Sequence, residues 1–576
     1  MKLNLAWVAP FLAIILLSSC SNKKDADAKG GKIYGGTLRF AETELVQNLF
    51  PHAITDYTSA KIAGQIFEGL FRLNPRTQSV EPLLCESYSI DNQGLKYIIK
   101  IKKGVFFHED KCFGNGLREL KAKDVAFSFT KLCTFSPENR AFAVTFNNKV
   151  KGASEYYNAS KAGNKLAMVS GIKVIDDYTI QIELEKPVIN FTKILCLPTC
   201  GIFTEEAYNQ YGLKMSLGTG PYKASGPIVG QKSFGMVKNT NYHLSDSLGN
   251  KLPFIDSLFV TVLASKGAEL EAFSNGQTDF ISGLPSESVN QILEEQISLF
   301  ETKPAKYVLA RSPELALTYI SLNSLSIFKD KKLRQAFAYA LDKEKIIREV
   351  LREQSYGPGI YGVTPPCIKN YDALSIEGYT FDLEKAKKLL AEAGYPEGNG
   401  FPDLKMVFSS GGTRNSAIAF EIQNQLIKNL NININLEIVP LAKRIEYSAT
   451  GKADLFISSW LAEYESPESF LVLGYGKNVP DDINQASFPN ESRYKNREYD
   501  VLFEKGASSL NVKEANDYFL QAEQALVNDC PIIPLCYEED YKMYSSAINN
   551  FYFSPLRIYD FREVYLKKIS TEVKTE

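Results

Sequence analysis

The sequence predicts an α/β fold in which mixed sheets are covered by helices, and three observations carry that expectation. Apolar and polar residues alternate over 97–101 and 178–184, as they do in strands with one buried face. Between 404 and 439 lies a compact strand–helix–strand pattern, the kind of unit that builds parallel or mixed sheets. Several further stripes at helical spacing carry clear start and stop signals.

Taken in order, the strand–helix–strand unit begins with the apolar run Leu404-Lys-Met-Val-Phe-Ser409. Ile418, Ile422, Leu426 and Leu430 then recur every four residues and mark one helical face. Ile434-Asn-Leu-Glu-Ile-Val439 reads as the returning strand, and 454–460 as another buried strand. Asp382 is placed to cap a helix that turns Leu383, Ala386, Leu389 and Leu390 inward. Gly394 suits the left-handed position after its end, and Pro396 blocks continuation. Leu333, Phe337, Ala340 and Leu341 form a similar stripe, as do Ala515, Tyr518, Phe519, Ala522 and Leu526. All read as core.

Composition narrows the function classes. Hydrophobic residues make up 44% and charged residues 23% of the 576, which suits a globular chain and excludes collagen-like or wholly disordered readings. The formal net charge is −2, so there is no global basic field for nucleic acid. Three histidines and no Cys-x-x-Cys pair leave no metal site in view. A P-loop, a Gly-x-Ser-x-Gly elbow and a His-Glu-x-x-His pattern are all absent, the last because Cys112 stands where the second His would be. No nucleophile or metal signature remains, so binding without catalysis and without a cofactor is expected. The aromatic share, 12% with 31 Tyr and 35 Phe, suits a large α/β interior.

The first twenty residues read as an export signal. Lys2 precedes an apolar run from Leu3 to Leu17, too short for a good membrane span. Leu17-Ser-Ser-Cys20 resembles a bacterial lipobox, in which Cys20 is acylated and becomes the mature N-terminus. Two or more acyl chains make such an anchor stable. Residues 1–19 are thus the expected signal peptide and 20–32 a lipidated tether. Eight cysteines follow Cys20. Cys196 and Cys200, or Cys530 and Cys536, stand close enough in sequence to bridge locally, although spacing does not fix connectivity.

A series of short motifs, in order along nearly the whole mature chain, resembles the family 5 solute-binding proteins of ABC importers, the oligopeptide-binding group. They include Leu49-Phe-Pro-His52, Gln65-Ile-Phe-Glu-Gly-Leu70, Gly218-Thr-Gly-Pro-Tyr222, Asn275-Gly-Gln-Thr-Asp279, Leu333-Arg-Gln-Ala-Phe-Ala-Tyr-Ala-Leu-Asp342 and Cys530-Pro-Ile-Ile-Pro-Leu535. The resemblance implies a two-lobed, periplasmic-binding-protein-like fold of type II with an extra domain. Lobe I would combine 33–57, 198–313 and 536–570, with the extra domain at 58–197, and lobe II would span 314–535. The implied protein is a monomer held to a membrane by its lipid and facing the periplasm. It would capture peptides between the lobes and deliver them to permease subunits.

The resemblance also implies a site. Trp460-Leu-Ala-Glu-Tyr464 matches a cleft segment whose backbone pairs with extended peptide and whose carboxylate holds the α-ammonium group. Ser458, Ser459, Trp460, Leu461, Ala462 and Glu463 are therefore the expected ligand contacts on one wall. Glu463 stands where the family has Asp, keeping the charge and adding a methylene. Leu45 and Val46 match backbone partners on the other wall, and His52 reads as structural. Basic residues that some relatives place near the peptide carboxylate are missing, with Ile457 and Ser448 at those positions. Other family 5 ligands (a dipeptide, a nickel chelate, haem or an oligosaccharide) remain open, as do an exported chaperone or adhesin and, disfavoured by the motif search, a secreted hydrolase.

Overall fold

The computed structural model describes residues 27–567, apart from 115, 165, 285–287, 289–300, 302–304 and 411–412. The expected signal peptide and Cys20 lie outside the described residues. Among the described residues, no helix is long and apolar enough to cross a membrane.

An 11-stranded mixed sheet runs through the molecule. Its spatial order is Tyr222–Ala224, Ser233–Lys238, Ser257–Val262, Thr37–Glu42, Phe280–Ser282, Ile532–Ser545, Tyr307–Leu322, Leu455–Leu461, Leu404–Ser409 and Ile434–Val439. The short strand Gly357–Pro358 pairs off this path with Ile532–Ser545. Two long strands, of 16 and 14 residues, join the two halves. Residues 307–313 pair with 539–545, the ladder slips, and pairing resumes with Leu317 opposite Tyr537. A second slip follows Thr318, where Tyr319 falls opposite Pro534. Proline has no N–H to give a ladder, and Pro313 and Pro534 each stand at the edge of a slip. Neighbours also change there: Phe280–Ser282 flanks one side of the slip and Leu455–Leu461 the other.

The strand–helix–strand unit forms as its pattern predicts. Leu404–Ser409 and Ile434–Val439 pair in parallel, joined by the helix Thr413–Leu430. Ile418, Ile422, Leu426 and Leu430 all lie in the core beneath it. Asp382 caps Leu383–Glu392 through the Lys385 N–H at 3.0 Å, and Gly394 takes a φ of 97°. Leu333, Phe337, Ala340 and Leu341 are buried in the same core. Tyr518 departs from its stripe: it is only half-buried, with the Lys505 ammonium 5.4 Å from its ring. A separate four-stranded antiparallel sheet (Cys85–Ile90, Lys96–Ile101, Thr179–Glu183 and Ile172–Asp176) carries the helix Ala122–Leu132 and has its own core. The local cysteine bridges do not form. All eight described thiols are free, and Cys200, Cys530 and Cys536 are each buried among apolar side chains.

Two motifs lock these bodies together. Gly218 and Gly220 lie against the backbone of Gln65 and Ile66, so closely that a Cβ at either would collide with a carbonyl oxygen. Between them Thr219 donates to Glu68 Oε2 at 2.9 Å. Tyr242 (2.6 Å), His243 (3.0 Å) and Arg562 (3.3 Å) complete the shell of the Glu68 carboxylate. Burial alone would raise that carboxyl, but His243, Arg562 and Tyr242 outweigh it and bring it down to about 2. His52 is buried between the rings of Phe50 and Phe203, and burial lowers its pKa to about 3.

Candidate functional site

The strand Leu455–Leu461 is used unequally on its two edges. Along one edge all seven residues pair with 316–322 of the long strand. Along the other, pairing with Leu404–Ser409 covers only Leu455 and Phe456. Among the described residues, Ser458, Ser459, Trp460 and Leu461 therefore present an edge with no neighbouring strand, which is what an extended peptide needs for main-chain pairing.

The side chains on this segment hold it in place. Ser458 Oγ is buried, accepting from Arg444 Nη1 at 2.6 Å and donating to Glu491 Oε2 at 2.7 Å. Ser448 Oγ donates to the same Glu491 carboxylate at 2.8 Å, and Ile457 lies in the core. The nearby cation, Arg444, is thus neutralised by Glu491. Ser459 is exposed, with its Oγ 2.9 Å from Thr318 Oγ1. Trp460 donates from Nε1 to the Ser469 carbonyl at 2.6 Å, and its ring centroid lies 6.0 Å from that of Phe488. Leu461 is half-buried, and Ala462 is buried with its N–H on the Leu315 carbonyl at 2.9 Å.

Glu463 follows directly. Among the described residues its carboxylate has no side-chain hydrogen bond and no ion pair within 4 Å. Burial pushes it up to about 7, Glu468 adds to the rise, and its own backbone N–H and Lys149 pull the other way. It is a half-buried carboxylate with Lys149 within electrostatic reach.

The next residues reach the body around the four-stranded sheet. Tyr464 packs into that body's core, which removes it from the ligand wall. Asn190 Nδ2 donates to Ser466 Oγ at 2.9 Å and to Glu468 Oε2 at 2.7 Å, and Lys193 Nζ to the Glu465 carbonyl at 2.5 Å. Ile189 donates its N–H to the Ala507 carbonyl at 3.0 Å. These contacts tie the segment after Glu463 to the body around the four-stranded sheet. The Val46 side chain is buried in a separate core and its carbonyl accepts from the Gly230 N–H at 2.9 Å. Leu45 is half-buried.

The slipped middle of the two long strands carries ion pairs that sequence reading missed. Arg557 Nε and Nη2 donate to the two oxygens of Glu314 at 2.7 and 2.5 Å. Arg414 Nη1 lies 2.8 Å from Glu538 Oε2, and Glu538 also accepts from Thr318 at 2.5 Å. Glu538, Asp540 and Lys542 alternate on one face of their strand, as period two requires. No local spacing joins Arg557 to Glu314 or Arg414 to Glu538; only the topology brings them together. Among the described residues there is no group of three His, Cys, Asp or Glu that could hold a metal ion.

Residues 79–481 match the model of the bacterial extracellular solute-binding proteins, family 5 Middle. The chain is 27% identical over 567 residues to heme-binding protein A of Haemophilus influenzae, covering 96% of each. It is 24% identical to the glutathione-binding protein GsiB of Escherichia coli K12, covering 90% of this chain and 92% of that one. The periplasmic binding protein DppA of Helicobacter pylori, solved with the peptide STSA, superposes with a TM-score of 0.76 at 24% identity. That match covers 93% of this chain and 99% of the other, and shows the shared two-lobed fold. The chain belongs to family 5 of the bacterial extracellular solute-binding proteins, which bind their ligands and do not transform them.

Proposed function

We propose that this protein captures extended peptides between its lobes and delivers them to the permease of an ABC importer. The observation that carries the reading is the edge of Ser458–Leu461, unpaired among the described residues, ending at the half-buried carboxylate of Glu463. An edge strand holds peptide main chain whatever its side chains, and one buried carboxylate fixes the register by binding the α-ammonium group. Leu45 and Val46 would face the peptide from the other wall. The relatives named above bind haem, glutathione and a peptide, so the family alone does not choose among ligands.

In this reading lobe I comprises 33–57, 198–313 and 536–570 with the extra domain 58–197, and lobe II comprises 314–535. The slips beside Pro313 and Pro534 supply the hinge. The protein acts as a monomer, tethered by acylated Cys20 and facing the periplasm. Native mass spectrometry of protein purified without denaturant tests the ligand class. Bound peptides of mixed mass are expected; a single non-peptide mass, such as haem, rules the reading out. Cys20→Ala should move the protein from the membrane fraction to the soluble one.

A further inference from the structure

The ion pairs beside the slipped strands are oriented. Glu314 is buried, its side chain 2% exposed, while that of Arg557 is 46% exposed. Glu538 and Arg414 repeat the arrangement at 8% and 35%. In both pairs the carboxylate lies behind and the guanidinium in front, so the positive ends face outward although each pair is neutral overall. Arg557 uses Nε and Nη2 on Glu314, and among the described residues its Nη1 has no acceptor.

Arg557 also occupies a definite place. The Leu315 N–H donates to the Pro555 carbonyl at 3.0 Å, and Ser554 Oγ to Gln78 Oε1 at 3.3 Å, which pins its segment across the slipped strands. Tyr57 lies within electrostatic reach of both Glu463 and Arg557, and Arg557 within reach of Arg414. Arg557 therefore shares a neighbour, Tyr57, with Glu463 and lies within electrostatic reach of Arg414.

We propose that Arg557 is a specificity-determining residue that takes a carboxylate of the bound ligand, with Arg414 beside it and Glu314 holding its guanidinium in position. The inference rests on the peptide reading above. A guanidinium already oriented by one carboxylate loses little side-chain freedom on meeting a second. The ligand carboxylate has two sources, an acidic side chain or the peptide's own C-terminus.

Isothermal titration of the mature protein with three peptides separates them: Ala-Ala-Gln-Ala amide, Ala-Ala-Glu-Ala amide, and Ala-Ala-Gln-Ala with a free C-terminus. At least one carboxylate-bearing peptide should bind about tenfold more tightly than the neutral amide, the size of one charge-assisted hydrogen bond. Gain from Glu places a side chain at Arg557, and gain from the free terminus places the ligand's end there; either supports the proposal. The double variant E314Q/R557M leaves no buried carboxylate unpaired and should erase the gain while still binding the neutral amide. R557K should keep part of the gain. Equal binding of all three peptides by the wild type overturns the proposal, as does a gain that survives in the double variant. A wild type that binds none of the three overturns the peptide reading itself.

Discussion

Two glutamates in this protein, Glu68 (buried) and Glu463 (half-buried), meet opposite fates. Glu68 is surrounded by Thr219, Tyr242, His243 and Arg562, and these partners hold its carboxyl down to about 2. Glu463 has no such shell, and burial pushes it up to about 7. The first is a network in which four side chains converge on one carboxylate. The second has no such partners, and ionising it at neutral pH costs stability. The difference teaches where to look for function in a buried polar group: not at the best-bonded carboxylate but at the one left wanting.

The largest effect should come from breaking the Glu68 network. Glu68→Ala leaves Arg562 and Tyr242 facing a void, and denaturant titration should show a loss of about 3–5 kcal/mol. The pH dependence has a definite sign. Because the folded-state pKa of Glu68 is depressed, its contribution is fully present above the ordinary glutamate value of 4.5. It is lost as pH falls from there through about 2. If the variant is as stable as the wild type, the network holds nothing together.

Glu463→Gln should act the other way round. Affinity for peptides with a free α-amine should fall about a hundredfold, the scale of a desolvated charge pair, with N-acetylated peptides unaffected. Equal weakening of both peptide types would remove the ammonium role. The variant should be no less stable than the wild type at pH 8. A carboxyl with a raised pKa destabilises the fold when ionised, so the wild type loses this part of its stability as pH rises from 4.5 through about 7. Binding follows the opposite course. The ammonium needs the ionised form, so affinity should drop about tenfold per pH unit below 7, measured by titration calorimetry at fixed ionic strength. A flat profile between pH 5 and 7 would contradict it.

Trp460→Ala gives a smaller and mixed effect. The indole both flanks the open edge and donates to the Ser469 carbonyl, so affinity and stability should fall together, the latter by about 1–2 kcal/mol. Trp460→Phe, which keeps most of the packing, should recover more stability than affinity. The smallest effect is expected from Asn190→Ala. Losing its bonds to Ser466 and Glu468 should weaken ligand affinity a few-fold by loosening the segment after Glu463, with little change in the unfolding midpoint.

Much of this architecture was legible in the residues. The strand–helix–strand unit at 404–439, the Asp382 cap and the buried stripe from Leu333 to Leu341 follow from periodicity and capping, because those signals are local. Ordered motifs pointed to the family and to the segment Ser458–Glu463. Other expectations met tertiary facts that no spacing records. Thiols four or six residues apart stay free, Tyr518 turns out of its stripe toward Lys505, and Tyr464 belongs to the neighbouring core.

What the sequence determined by itself was therefore the α/β class, the elements with strong periodicity, and the carboxylate at position 463. What only the tertiary structure decided was which charges are satisfied. Glu314 meets Arg557 across 243 residues, and Glu68 meets Arg562 across 494. The physical reason is that an ionisable side chain takes its character from its partners and its exposure, and both are set by packing. Position in the chain names the acid; the fold decides whether its carboxyl is held down by partners or pushed up by burial.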